Sequence, residues 1–243
     1  RYAVTTSLSC DGNLNTFRYL EKKKGVPFTF LDVPYGDDEA SVEYLAGQLK
    51  DFVRELENQF GKTFDEEKLK KALEIENETR KELVHFFRLQ SEYYYPGELI
   101  SHLYMMMGMH LLIGTQDFLD LIRFMVKDIQ TYPKFEGKKI LWVHLLPFYQ
   151  ESLREYFNES EKYQIIASDI IIDSMEELDA SRPFHALAKK IIHNLYNGSY
   201  DHKAQMVGRL ADMLHPDAVI QFCHWGCKQS SGCSVLLKER IQE

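Results

Sequence analysis

Cysteine is scarce: four in 243 residues are too few for a disulfide scaffold in a chain this long, which favours a reducing cytoplasm. No apolar run approaches the ~20 residues that a membrane helix needs, and no signal peptide is visible. A basic excess is also missing. The 29 Lys+Arg stand against 37 Asp+Glu for a net charge of −8, which argues against nucleic acid or an anionic membrane as the main partner. There is no Ser/His/Asp order, no Walker loop and no GxGxxG, so hydrolase and nucleotide-site readings find no support, and any ATP use must reside in another protein or domain. Internal repeats and low-complexity segments are absent too.

What is present is an alternation of short apolar runs with helical periodicity. Residues 1–36 read as strand, helix, strand, with Tyr2–Leu8, Asn15–Lys24 and Phe28–Val33 separated by the breakers Gly25 and Pro27. Lys22-Lys23-Lys24 is read as a solvated helix end. From Glu39 the pattern is helical: Val42, Leu45, Leu49, Phe52, Val53 and Leu56 recur at three- and four-residue spacing, and Gly61 marks a stop. Thr63-Phe64-Asp65-Glu66 has the form of a capping box for the next helix, and Pro96-Gly97 breaks the series before two shorter helices near 98–111 and 115–130. After Pro133 an α/β pattern returns, with strands at Lys139–Leu145, Tyr163–Ile172 and 218–222 and helices at Pro147–Phe157, 183–196, 201–214 and from about Ser230. Asn197-Gly198 reads as a turn. The strands are continuous apolar runs, as in a parallel sheet covered on both faces. The domain division expected is 1–36, the end of a first α/β domain; 37–132, a helical insertion; and 133–243, a second α/β domain. The chain enters a strand directly from Arg1 and stops at Gln242-Glu243, which reads as a piece of a longer polypeptide.

The cysteines carry the chemistry. Three lie in Cys223-His224-Trp225-Gly226-Cys227-Lys228-Gln229-Ser230-Ser231-Gly232-Cys233, directly after the run 218–222, and Cys10 follows the first run. Thiols would therefore sit where a strand ends and a helix begins, the crevice in which open α/β sheets hold ligands. A helix N-terminus favours the thiolate that metals require. The residues by themselves leave three readings open: thiolate ligands of an iron–sulfur cluster, a Cys/His zinc site drawn from Cys223, His224, Cys227 or Cys233, and thiols without a ligand. The spacing is not that of a zinc ribbon, which uses paired Cys-x-x-Cys knuckles. Elsewhere, Tyr93-Tyr94-Tyr95 with Met105-Met106-Met107 is either a soft apolar wall for an acyl chain or ordinary core. His110 and His144 are read as core histidines, and Trp225 as filling space beside the thiols.

Cys10-Asp11-Gly12, Leu31-Asp32-Val33-Pro34-Tyr35, Tyr44-Leu45-Ala46-Gly47-Gln48-Leu49 and the terminal segment 222–232 together resemble the 2-hydroxyacyl-CoA dehydratase (component D) and benzoyl-CoA reductase subunit family. The similarity runs in order over essentially the whole chain. It implies an α/β fold with flavodoxin-like parallel sheet domains, helices on both faces and a helical insertion. It also implies a 4Fe-4S cluster held by three cysteines. By position Cys10 and Cys223 match ligands, Cys227 is the rival to Cys223, and His224 is placed to hydrogen-bond a cluster sulfur or substrate. The third family ligand lies in an upstream Cys-Pro segment that this chain lacks, unless Cys227 or Cys233 replaces it. The resemblance therefore implies an incomplete site, free of cluster and inactive when the chain is isolated.

The activity implied is a lyase reaction. One-electron reduction by an ATP-driven activator makes a thioester carbonyl a ketyl radical, which expels the 2-hydroxyl and leads to the enoyl-CoA. The partners implied are a second dehydratase-like subunit, the activator and an acyl-CoA substrate, in the cytoplasm, with neither nucleic acid nor membrane. The same domain also occurs beside activator ATPases, so an electron-relay or assembly module is the alternative, as is a reductase subunit acting on an aromatic acyl-CoA.

Overall fold

A computed structural model describes residues 1–8, 10–172 and 176–242. Ser9 beside Cys10, residues 173–175 of the second α/β segment, and Glu243 lie outside the described residues. In chain order the elements are β1 (Ala3–Thr6), α1 (Asp11–Lys24), β2 (Phe28–Leu31), α2 (Glu39–Phe60), α3 (Glu66–Gln90), α4 (Leu99–Leu111) and α5 (Gln116–Ile129). There follow β3 (Lys138–Val143), α6 (Glu151–Phe157), β4 (Tyr163–Ser168), α7 (Pro183–Ile192), α8 (Tyr200–Leu214), β5 (Ala218–Gln221), α9 (Lys228–Ser231) and α10 (Ser234–Gln242). Both sheets are parallel, and the fold is α/β with helices flanking them, as the sequence leads one to expect. None of the helices among the described residues is long and apolar enough to cross a membrane.

The chain divides into two compact units. The first comprises Arg1–Lys70 and Glu176–Ser199. Its β1 and β2 pair in register from Ala3↔Phe28 to Thr6↔Leu31, joined by α1. Gly25 closes α1 in the left-handed region at φ 62°, which no side chain adopts cheaply, and Lys22–Lys24 are exposed in its last turn. Helix α2 starts on Asp38, whose carboxylate accepts from Ser41 N at 2.8 Å, and ends on Gly61 at φ 60°. It buries Val42, Leu45 and Leu49 with Phe184, Ala188 and Ile192 of α7. Thr63 is not the cap of α3: Asp65 is, accepting from Glu67 N and Lys68 N at 3.1 and 3.3 Å. A carboxylate one residue before the helix meets two of its free N–H groups and competes better than a hydroxyl three residues back. The Asp32 and Gln48 segments lock together: Gln48 Oε1 accepts from Asp32 N, and its Nε2 donates to Asp32 O, each at 2.9 Å.

The second unit comprises Lys71–Met175 and Tyr200–Glu243. Its sheet runs β4-β3-β5, with β3 paired in parallel to both neighbours. Alternation along β3 shows both faces buried: Leu141 and Val143 join one cluster with Phe87, Ile122, Val207 and Leu210, while Ile140 and Trp142 join another with Leu99 and Ile165. Three details differ from expectation. The run 163–172 is strand only to Ser168, after which the chain turns, with Ile171 N bonded to Ser168 O and Ile172 N to Asp169 O. Residues 147–150 form turns, with Gln150 N bonded to Pro147 O, so α6 starts only at Glu151. The terminal helix is broken at Gly232, which lies too close to the Tyr200 ring to carry a side chain, and resumes at Ser234.

Helices α4 and α5 meet where Gly108 faces Phe118, and a Cβ on Gly108 would overlap that ring. Alanine would gain about 1 kcal/mol in helix propensity but lose about 1–3 kcal/mol to overpacking. Gly108→Ala should therefore lower the unfolding free energy, and in a Phe118→Leu background the same change should become neutral or stabilising. Urea denaturation of the four variants of this cycle measures the difference.

Candidate functional site

In the second unit the first strand, β3, is central; the chain passes to β4 on one side and then crosses to β5 on the other. The order reverses between β3 and β5. Connections there leave in opposite directions and open a crevice beyond the strands' carboxyl ends, where such sheets bind ligands. The residues after all three strand ends carry functional groups: His144 after β3, Asp169 after β4, and Cys223 after β5.

These groups are tied together. Asp169, fully buried, accepts from His144 N at 2.6 Å and lies 3.9 Å from Lys203 Nζ of α8. Lys203, only 1% exposed, donates to Gln229 O at 2.8 Å, inside the cysteine segment. The segment is folded around Ser230: its hydroxyl bonds His224 O and Cys227 O at 3.1 and 3.0 Å, and accepts from His224 N at 3.0 Å. Cys223 Sγ faces Ser230 O at 3.6 Å, and Cys227 Sγ lies 3.8 Å from His144 Nε2. His144 holds a left-handed φ of 74°, a conformation costing about 1–3 kcal/mol for a non-glycine residue and persisting only where its surroundings enforce it. Here Asp169 grips its backbone and Cys227 meets its ring.

Burial pushes the His144 imidazole down to about 4, aided by the neighbouring Lys203 and His224, so the ring is neutral at pH 7. Burial also draws the Lys203 ammonium down, opposed by Asp169 and by Cys233, Cys227 and Cys223. The arrangement is one buried cation and a neutral imidazole presented to a thiol pair, which suits soft, negatively charged coordination.

Each thiol has a distinct setting. Cys223 is exposed, Cys227 is partly buried, and all four cysteines are free. Cys233 is fully buried in the core beneath α10, its thiol donates to Tyr200 O at 3.5 Å, and burial pushes it up. Cys10 belongs to the first unit, at the matching place: it is exposed, follows β1 and precedes α1, with its sulfur above Gly12. His224 is exposed with its ring against Phe222, and Trp225 is 95% exposed and fills no space in the unit. His144 is buried as expected but belongs to the site; His110 is a surface residue, its Nδ1 2.8 Å from Met106 O. Sequence reading missed Asp169 and Lys203 altogether.

A model of the family described as "2-hydroxyglutaryl-CoA dehydratase, D-component" matches residues 2–243. The chain belongs to this family. It is similar to the (R)-phenyllactyl-CoA dehydratase beta subunit of Clostridium sporogenes, with 27% identity over 228 residues, 89% of this chain and 59% of that subunit. It is also similar to the alpha subunit of the same enzyme, with 20% identity over 255 residues, 96% of this chain and 60% of the subunit. A shorter match, 30% identical over 76 residues, covers 30% of this chain and 16% of the (R)-2-hydroxyglutaryl-CoA dehydratase alpha subunit of Acidaminococcus fermentans. The chain thus spans about 60% of the length of the two phenyllactyl-CoA dehydratase subunits.

A further cluster, in the first unit, brings Glu39, Glu43 and His185 within 4.8 Å of one another. Arg182 already lies 3.4 and 3.8 Å from the two carboxylates, and His185 Nε2 lies 2.6 Å from Glu43, so the charge is met within the protein. It is an ion-pair network joining α2 and α7.

Thiol exposure makes a direct prediction for this D-component relative. In the reduced, metal-free protein, Ellman's reagent should titrate Cys10 and Cys223 fast, Cys227 more slowly, and Cys233 only after denaturant is added. Rapid labelling of Cys233 in the native state would contradict its burial.

Proposed function

We propose that the protein is an iron–sulfur subunit of a 2-hydroxyacyl-CoA dehydratase, and that Cys223 and Cys227 hold the cluster. The observation that carries this is the pair of accessible thiols at the switch point of the sheet, backed by a buried ammonium. Tested against a cluster, the donor set fits: soft thiolates are the ligands iron–sulfur groups take, and burying their negative charge requires nearby positive charge or hydrogen-bond donors. Cys10, in the first unit, is proposed as a ligand position on its Cys-Asp-Gly motif alone. Cys233 is withdrawn into the core and is not a ligand. When bound, a 4Fe-4S cluster supplies an electron at low potential.

The chain's own residues have definite tasks. Ser230 fixes the loop through His224 and Cys227, which sets the direction of the two thiols. Lys203 steadies the same loop through Gln229 O and offsets thiolate charge. His144, neutral, presents Nε2 to Cys227 Sγ and can donate to a sulfur there, whereas an imidazolium would add a second buried cation beside Lys203. His224 is exposed on the loop, and we assign it the contact with substrate.

The reaction proposed is removal of the 2-hydroxyl from a 2-hydroxyacyl thioester, with a second dehydratase-like subunit and an ATP-driven activator supplying the electron, in the cytoplasm. Free cysteines in a protein whose relatives are dehydratase subunits accord with that compartment.

Anaerobic reconstitution of the full-length protein with iron and sulfide, followed by metal analysis and EPR, provides the test. The wild type and Cys233→Ser should retain iron and sulfide, whereas Cys223→Ser, Cys227→Ser and Cys10→Ser should each lose most of it. Dehydration of a 2-hydroxyacyl-CoA, assayed with the partner subunit and activator, should follow cluster content across the series. A wild type that takes up zinc but never iron and sulfide would overturn the reading.

A further inference from the structure

A pocket of about 240 Å³ in the second unit, open to solvent beside the exposed Gly97 and Ser101, is framed by the end of α3, the 94–97 loop, the start of α4, and β4. Phe86, Phe87, Tyr95, Met105, Phe157 and Ile171 give it aromatic and aliphatic walls. Tyr95 stands edge-on to Phe86 at 5.3 Å, and the Tyr94, Tyr95 and Met105 side chains come from the tyrosine and methionine runs that stand out in the sequence. Met106 packs on the core and Met107 is 45% exposed, so one methionine of the three serves the cavity.

The polar groups on these walls divide into spent and unspent. Gln164 is fully used: its Oε1 accepts from Tyr95 N at 2.8 Å, and its Nε2 donates to Gln90 O and Tyr93 O at 2.7 and 2.9 Å. Ser160 Oγ accepts from Lys162 N and Tyr163 N. His102, half-buried, makes no hydrogen bond or ion pair among the described residues, and burial pushes its imidazole down to about 4; Ser101 and the Tyr94 hydroxyl are further uncharged polar groups of the lining. A neutral imidazole offers one donor and one acceptor. Not one lining residue is Asp, Glu, Lys or Arg.

We propose that this cavity binds a neutral, single-ring aromatic alcohol, with the ring between the phenylalanine and methionine walls and the hydroxyl on His102. Size selects one ring: an apolar cavity of roughly 150 Å³ takes benzene, and about 240 Å³ leaves room for a short hydroxyl-bearing arm. Charge is the second filter, because a carboxylate or ammonium would be buried here with no counter-charge. The lining combines aromatic and methionine walls with uncharged polar groups, a mixture that small-molecule pockets share. None of its residues belongs to the thiol site, so the inference stands or falls independently of iron.

Isothermal titration of the purified protein with benzyl alcohol, toluene, benzoate and benzylamine tests this. Benzyl alcohol should bind saturably at one site, and benzoate and benzylammonium should bind at least about tenfold more weakly, reflecting the cost of burying charge. His102→Leu should weaken benzyl alcohol by up to about tenfold, the worth of one net hydrogen bond, while toluene binding is unchanged. Met105→Trp, checked for native circular dichroism, should abolish both. Absence of saturable benzyl alcohol binding by the wild type, benzoate binding as tight as the alcohol, or full affinity in a folded Met105→Trp variant would each overturn the proposal. The wild-type ligand series decides the matter even if a variant fails to fold.

Discussion

Two opposite charges buried within one unit organise everything at the carboxyl edge of the larger sheet. Asp169 and Lys203 are 0% and 1% exposed, and each also anchors backbone: Asp169 holds His144 N, and Lys203 holds Gln229 O. The ends of β3 and β4, helix α8 and the cysteine loop are thereby referred to one pair. A buried ion pair is weak support for stability as such, since desolvation offsets the attraction. Removing one partner is another matter, at about 3–5 kcal/mol, because the survivor is left as an uncompensated buried charge. What the pair fixes here is geometry, that of the backbone leading to His144 and of the loop carrying Cys223 and Cys227. The left-handed backbone at His144 has the same logic: a strained residue persists because Asp169 and the thiol loop over-determine it.

Charge accounting at the site points the same way. With His144 neutral, Lys203 is the buried cation facing the thiols, partly answered by Asp169 at the long distance of 3.9 Å. Lys203 also donates its short hydrogen bond to the loop carbonyl, and its charge is felt at Cys233, Cys227 and Cys223. A nearby cation favours a thiolate in general. Cys233, three residues from Ser230 in the chain, lies on the core side, where burial pushes its thiol up against the opposing effect of Lys203.

How far the sequence was legible follows from the range of each interaction. Strands 138–143, 163–168 and 218–221 were readable as unbroken apolar runs, because a parallel strand covered on both faces needs no polar alternation. Gly25 and Gly61 were readable as helix stops because the left-handed cap is a local requirement. The cap of α3 was misassigned between two eligible residues two apart, Thr63 and Asp65, a choice made by helix phase rather than by composition. The break at Gly232 depends on Tyr200, distant in the chain, and was not visible. The thiol loop announced itself through clustered cysteines, but Asp169 and Lys203 did not: an isolated Asp and Lys look like any surface charges until topology brings them together.

The same sheet serves two unlike environments, and the difference arises from which part of each strand is used. Beyond their carboxyl ends β3, β4 and β5 deliver charged groups and thiols, because there the free backbone groups and opened connections can hold polar ligands. The earlier part of β4, Tyr163 to Ile165, faces the 94–97 loop and α4, where Gln164 spends its whole amide on securing main-chain groups. That use of Gln164 closes the wall, and His102 stands beside it as one of the uncharged polar groups able to face a guest. A polar side chain spent on the scaffold thus shapes the wall of the neighbouring pocket, just as the buried pair of Asp169 and Lys203 fixes the backbone on which the thiol loop is held.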